Sequence, residues 1–224
     1  MPRAPIHLGL LSPSEAGRVA LAVGRVLWDS EQTGEIVVAE EITAQRQLRY
    51  WLDNGVFDSA DGRALLDRRP EIAETDIEYL RHLPPPSLGR CFADFLDREG
   101  IDLAGLAQPT PYTEGELEAY LMRRIRQSHD IWHLLLGLGT QGHEEVLVHC
   151  FSIAQTGFPY SLTVIGLGAL KHMVLEQRWT TLVQETRRAY QRGVDAAPLL
   201  AVHWESRWEQ PLDEVRREFA LRPL

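Results

Sequence analysis

An all-α fold, a single-domain helical bundle spanning residues 1–224, is what this sequence predicts. Three observations lead there. Helix start and stop signals recur along the chain at ordinary helix lengths. The only β-like run, Ile36-Val37-Val38, is too short to found a sheet. The 224 residues, 44% hydrophobic and 25% charged, suit one globular unit with a full core.

The elements follow in order. The first ten or so residues carry no periodic pattern and are expected to be loose. Ser12-Pro13-Ser14-Glu15 forms a capping box with proline at the first helical position, and an apolar-periodic run continues to Trp28. Thr43 to Asp53 reads as a helix stopped by Asn54-Gly55. Ala60 to Arg68 is a short one stopped before Pro70. Thr75 to Leu83 ends at three prolines. Ser87 caps a helix running to Gly100. Thr113-Glu114-Gly115-Glu116 reads as a second capping box that opens a long helix ending near Gly137. Helices also fit Glu144–Gln155, Pro159–Trp179, Thr181–Gln191 and about Pro211–Ala220. The proline-bearing stretch Gln108–Tyr112 reads as a loop within one domain.

Composition narrows the function. A net charge of −9 and a pI near 5.4 argue against nucleic acid, whose binding needs a concentrated basic surface. Cys91 and Cys150 sit in separate apolar contexts without a CxxC, so buried thiols in a reducing compartment are expected. No signal peptide or organelle presequence shows, so the expected location is the cytoplasm. Val146 to Leu170 contains no Asp, Glu, Lys or Arg. Thr156-Gly157-Phe158-Pro159 breaks this run, so a buried helical hairpin is expected rather than a membrane span. Its small residues Gly157, Gly166, Gly168 and Ala169 are expected to leave an apolar groove suited to an isoprenoid or acyl tail. Arg123, Arg124 and Arg126 read as a solvated face. His7, His82, His172 and His203 read as structural, and Trp208, Glu209 and Gln210 as fixing the start of the last helix.

The stretch from Ser128 to Glu145 carries the chemistry. His129 and His133 lie one helical turn apart, about 6 Å along the axis, on one face. Two imidazoles so placed grip one divalent cation. Asp130 is rotated by roughly 100° and reaches that ion only from the flank. The turn signal Gly137–Gly142 allows a following carboxylate to return over the histidines. Spacing alone leaves His143, Glu144 and Glu145 as competing outer ligands.

These residues resemble the coenzyme Q (ubiquinone) biosynthesis proteins of the Coq4 type. The resemblance rests on His129-Asp130-x-x-His133 with Glu145 after eleven intervening residues, on Ser87-Leu88-Gly89-Arg90 before Ala93-Asp94-Phe95-Leu96, on Gln155-Thr156-Gly157-Phe158-Pro159, and on Arg207-Trp208-Glu209-Gln210. It covers the chain from about Ser12 to Phe219. It implies a metal held by His129, Asp130, His133 and Glu145, zinc first, with iron or manganese as alternatives. It implies a prenylated hydroxybenzoate-type ligand whose ring loses its carboxylate and gains a hydroxyl. The alternative it carries is a prenyl-lipid-binding scaffold that gathers other ubiquinone biosynthesis proteins at a membrane. A bacterial protein, peripheral on the inner membrane face, and a homodimer are compatible with it. Glu144 stands where the family usually has Gly, and Gly139 where Pro is common.

Overall fold

Helix boundaries in the computed structural model, which describes residues 12–28, 33–171 and 179–224, follow local chemistry. The N–H of Ser12, just before α1 (Pro13–Trp28), donates to the Glu15 carboxylate at 2.7 Å, and the Glu15 N–H donates back to Ser12 Oγ at 3.3 Å. The expected capping box is therefore formed. Helix α2 (Thr33–Asp53) starts ten residues before the predicted Thr43 and absorbs Ile36-Val37-Val38. β-Branched residues lose some helix propensity, but the buried stripe of Ala39, Ala44, Leu48 and Trp51 outweighs that loss. Helices α3 (Ala60–Arg68), α4 (Ile77–His82) and α5 (Leu88–Glu99) are capped by Ser59, Asp76 and Ser87, each accepting a first-turn N–H.

Helix α6 (Glu116–Leu136) corrects one expectation. Gly115, at φ 85°, is its N-cap, and no side chain caps the helix. The predicted Thr113–Glu116 box does not form, and the buried Thr113 hydroxyl has no partner. A positive φ is open to glycine, so the backbone enters the helix by a route that carries Thr113 away from it. Helices α7 (Gly142–Thr156), α8 (Tyr160–Lys171), α9 (Trp179–Asp195) and α10 (Leu212–Glu218) follow. Residues 172–178 of the predicted Pro159–Trp179 helix, with His172, lie outside the described residues, as does His7. Among the described residues there is no strand, and no helix is long and apolar enough to cross a membrane.

The largest apolar cluster joins α5, the second half of α6, α7 and the C-terminal segment. Trp208 stacks on Phe92 at 5.6 Å, and Trp132 meets Phe151 edge-on at 6.2 Å. A second cluster joins α2, α3 and the first half of α6. The expected buried hairpin is half realised. Helix α7 is buried along most of its length, whereas Leu162 on α8 is 40% exposed.

Two contacts fix the ends of helices that matter for the site. The carbonyls of Gln210 and Trp208 accept the first-turn N–H groups of α5, from Leu88 at 2.7 Å and Gly89 at 2.9 Å. Trp208 and Gln210 thus cap α5; they were expected to fix the start of α10. At the other end of the cluster, Arg216 donates to the carbonyls of Leu134 and Leu135, both at 3.0 Å, and the Leu224 N–H donates to Leu136 O at 3.0 Å. The Leu138 N–H donates to His133 O at 3.0 Å. The last four carbonyls of α6, orphans in any isolated helix, are all satisfied.

The three arginines of α6 are not a solvated face. Arg123 pairs with Glu71, and Arg124, 1% exposed, forms a two-pronged pair with Glu205. Arg126 lies between Glu40 and Glu41. Each carboxylate comes from a segment distant in sequence, which a reading by local spacing does not reveal.

Candidate metal centre and adjoining cavity

Helix α6 presents His129 and His133 on one face, with their Nε2 atoms 3.0 Å apart. The turn after Gly137 sends α7 back so that Glu145, in its first turn, meets both rings. One carboxylate oxygen lies 3.2 Å from His129 Nε2 and the other 3.4 Å from His133 Nε2. One donor atom from each of the three residues falls within 4.8 Å of the others. His133 Nδ1–H donates to Gly139 O at 2.7 Å, which selects the tautomer whose Nε2 lone pair points into the cluster.

The turn itself is held by two other carboxylates. Glu144 accepts from Gly139 N–H at 2.9 Å and from Gln141 N–H at 3.1 Å. Glu99 accepts from Thr140 N–H at 3.1 Å and from its hydroxyl at 2.8 Å. The competition among His143, Glu144 and Glu145 therefore resolves by geometry. Glu145 faces the histidines, Glu144 braces the turn, and His143 is not part of the cluster. Asp130 is not one of the three converging groups either. It lies on the flank, where burial raises its carboxyl above the usual carboxylate range while the charges of His129 and His133 act against that rise.

The electrostatics suit a cation. Burial works against a charge on His129, but the Glu145 carboxylate prevails and raises its pKa. Burial would lift Glu145, yet hydrogen bonds to His129 and His133 hold it well below its ordinary value. Without an ion, a proton on His129 balances the Glu145 carboxylate. A divalent cation placed there takes over that role, and two neutral imidazoles with a carboxylate are the donor set that zinc, iron or manganese accepts.

His129 also forms part of the wall of a cavity of about 550 Å³. Apolar side chains of Val37, Ile125, Trp132 and Phe158 line much of it. Its polar groups include Glu40, Gln108, Arg126, His149 and Ser161, with Ser152, Thr156 and Tyr160 beside them. The rings of His129 and His149 are 4.9 Å apart, and the edge of Tyr160 meets His149 at 5.7 Å. Burial, and then the charge of His129, press the His149 pKa down to about 3, so the ring is neutral. Burial raises Glu40 despite the adjacent Arg126.

An apolar groove was expected, and a cavity is present, but not the one the glycines suggested. Gly157 closes α7 at φ 66°, and Gly166 has open space around it. The side-chain surroundings of Gly168 and Ala169 lie outside the described residues. His149 was not read as a site residue from the sequence. It was legible as the one imidazole interrupting an uncharged run, four residues after Glu145 and so on the same helical face.

Residues 11–224 match the family model described as "Coenzyme Q (ubiquinone) biosynthesis protein Coq4". The chain belongs to that family. Similar relatives include the mitochondrial ubiquinone biosynthesis proteins coq4 of Sclerotinia sclerotiorum and Ajellomyces dermatitidis. The first is 31% identical over 229 residues, covering 100% of this chain and 79% of the relative; the second is 32% identical over 226 residues, covering 98% and 77%. The fold is also that of a crystallised protein from Nostoc punctiforme PCC 73102, provisionally assigned to ubiquinone biosynthesis. It superposes with a TM-score of 0.73 at 23% identity, over 91% of this chain and 97% of that one. The Coq4 family is thus reached along nearly the whole chain, and the all-helical expectation holds.

Proposed function

We propose that this Coq4 family member takes part in ubiquinone biosynthesis as a metal-dependent oxidative decarboxylase of a prenylated hydroxybenzoate-type precursor. The observation that carries the reading is the convergence of His129, His133 and Glu145 beside a largely apolar cavity whose wall includes His129. His129, His133 and Glu145 would hold the cation, and Asp130 stands on the flank outside that set. A cation bound there supplies a Lewis acid for the carboxylate and for phenolate charge. His133 is kept in its ligating tautomer by Gly139 O, and the apolar walls keep water from the ring. The cavity volume falls within the range that buries most of a drug-sized molecule, so it accommodates the ring and the first part of a tail.

Exchange of carbon dioxide for a hydroxyl is a two-electron oxidation of the ring. With dioxygen as the oxygen source, one oxygen atom enters the product, the other leaves as water, and a two-electron reductant is consumed. Three converging protein ligands favour this reading over that of a lipid-binding scaffold with a structural metal, because structural sites are closed by four protein ligands and catalytic ones keep a position open. Helix α8, without a charged residue from Tyr160 to Leu170 and with Leu162 exposed, supports contact with a membrane that stores the prenylated precursor.

The test is metal analysis of purified protein, followed by incubation with the prenylated acid, oxygen and a reductant. The expected result is one cation per chain and carbon dioxide release that disappears in H133A. One bound cation without turnover in any metal form would move the assignment to the scaffold; no retained metal would overturn the metal centre itself.

A further inference from the structure

We infer that His149 is the residue that reads the phenolic hydroxyl of the ring. This inference rests on the substrate class proposed above. His149 lines the same cavity as His129, with the two rings 4.9 Å apart, so a ring held against the His129 wall lies beside it. Its orientation is set from two sides. Nδ1 lies 3.2 Å from the hydroxyl of Ser161, which is fully buried, and the edge of Tyr160 packs against the imidazole.

Among the described residues Ser161 is the only hydrogen-bond partner of the ring. Nε2 is therefore left for whatever enters the cavity. A polar nitrogen on a largely apolar wall gains more from a hydrogen-bonding substituent than from an apolar one, and that difference is selectivity. A phenol suits either tautomer: its hydroxyl donates to a bare Nε2 or accepts from Nε2–H. An ether or a plain ring hydrogen cannot donate. Arg126, a cationic group on the same wall, is already matched by Glu40 and Glu41. Its charge is therefore engaged within the wall, whereas His149 keeps one ring nitrogen without a partner among the described residues.

The experiment is isothermal titration of the full chain, loaded with zinc, against two probes. One is a short-tailed 3-prenyl-4-hydroxybenzoate, and the other is the same acid without the 4-hydroxyl. Wild type is expected to bind the hydroxylated probe about tenfold more tightly, the size of one net hydrogen bond in a buried site. H149F is expected to bind both probes alike, near the wild-type affinity for the deoxy probe. S161A, which keeps the imidazole but releases it, is expected to retain about a two- to threefold preference and serves if H149F does not fold. A preference that survives unchanged in H149F or S161A overturns the assignment. So does an equal loss for both probes with a lowered melting temperature, which marks a structural role. Failure of the wild type to bind either probe overturns the substrate reading as well. Binding without discrimination overturns only the role of His149.

Discussion

Adjacent glutamates at the start of α7 have separate tasks. Glu145 faces two imidazoles, while Glu144 turns both oxygens onto backbone N–H groups of the preceding turn. E145Q is expected to lower metal affinity 10- to 100-fold with little change in melting temperature; E144Q is expected to do the reverse. Competition with a chromophoric chelator, beside a thermal melt, separates the two. The two departures from the family pattern, Gly139 and Glu144, turn out to be partners. A proline at 139 has no N–H, and a glycine at 144 has no carboxylate, so each departure makes the other useful. The His129–His133 pair was legible because one helical turn fixes it. Asp130, adjacent in sequence, stands apart in space for the same reason. His149 also sets a pH dependence. Its pKa of about 3 in the folded state lies below the ordinary value of about 6.5, so the unfolded chain binds a proton first. Wild type is expected to lose up to about 1.4 kcal/mol per pH unit relative to H149F between about pH 6.5 and 3. Denaturant melts of both proteins across that window test it. Burial raises the Cys150 pKa to about 12, so at pH 8 only about one thiol in ten thousand is ionised, and iodoacetamide is expected to label it only after unfolding.

Helix ends, more than helix middles, decide where the site sits. The start of α5 leans on the segment around Trp208, and Gly89 is what lets the two approach. A Cβ at that position would lie 2.7 Å from Leu83, 2.9 Å from Leu80 and 3.1 Å from Trp208. G89A is therefore expected to destabilise by about 1–3 kcal/mol, read as a shifted denaturation midpoint. At the other end of the cluster, Arg216 places a positive charge on the C-terminal carbonyls of α6. R216A is expected to destabilise by about 1–3 kcal/mol and to weaken metal binding several-fold, because His133 lies in that last turn. The serine caps at Ser12 and Ser87 were legible in the sequence, since those signals act over three residues; the caps Ser59 and Asp76 were not singled out. The local reading missed the first ten residues of α2, whose β-branched run argues locally for something else. It misplaced the cap of α6, where a glycine conformation replaced a side chain.

Across the whole molecule, tertiary pairing supplied what local patterns lacked. The helical class was readable from punctuation and length. The cavity was not, because its walls come from α2, α6, α7 and α8 together. Nor were the partners of the α6 arginines. Arg124 and Glu205 are 81 residues apart and nearly buried, so their pairing exists only in the folded chain. E205Q alone is expected to cost about 3–5 kcal/mol because it strands a charge, and R124M/E205L is expected to recover most of that loss in a thermal melt. The reach of residues 207–224 back onto α5 and α6 has a further consequence. A ribosome making this chain releases the histidine helix long before the stretch that closes off its end. Until those late residues arrive, the proposed ion cradle lacks its brace, so a cation offered to a stalled, unfinished chain is expected to bind more weakly than one offered to the finished protein.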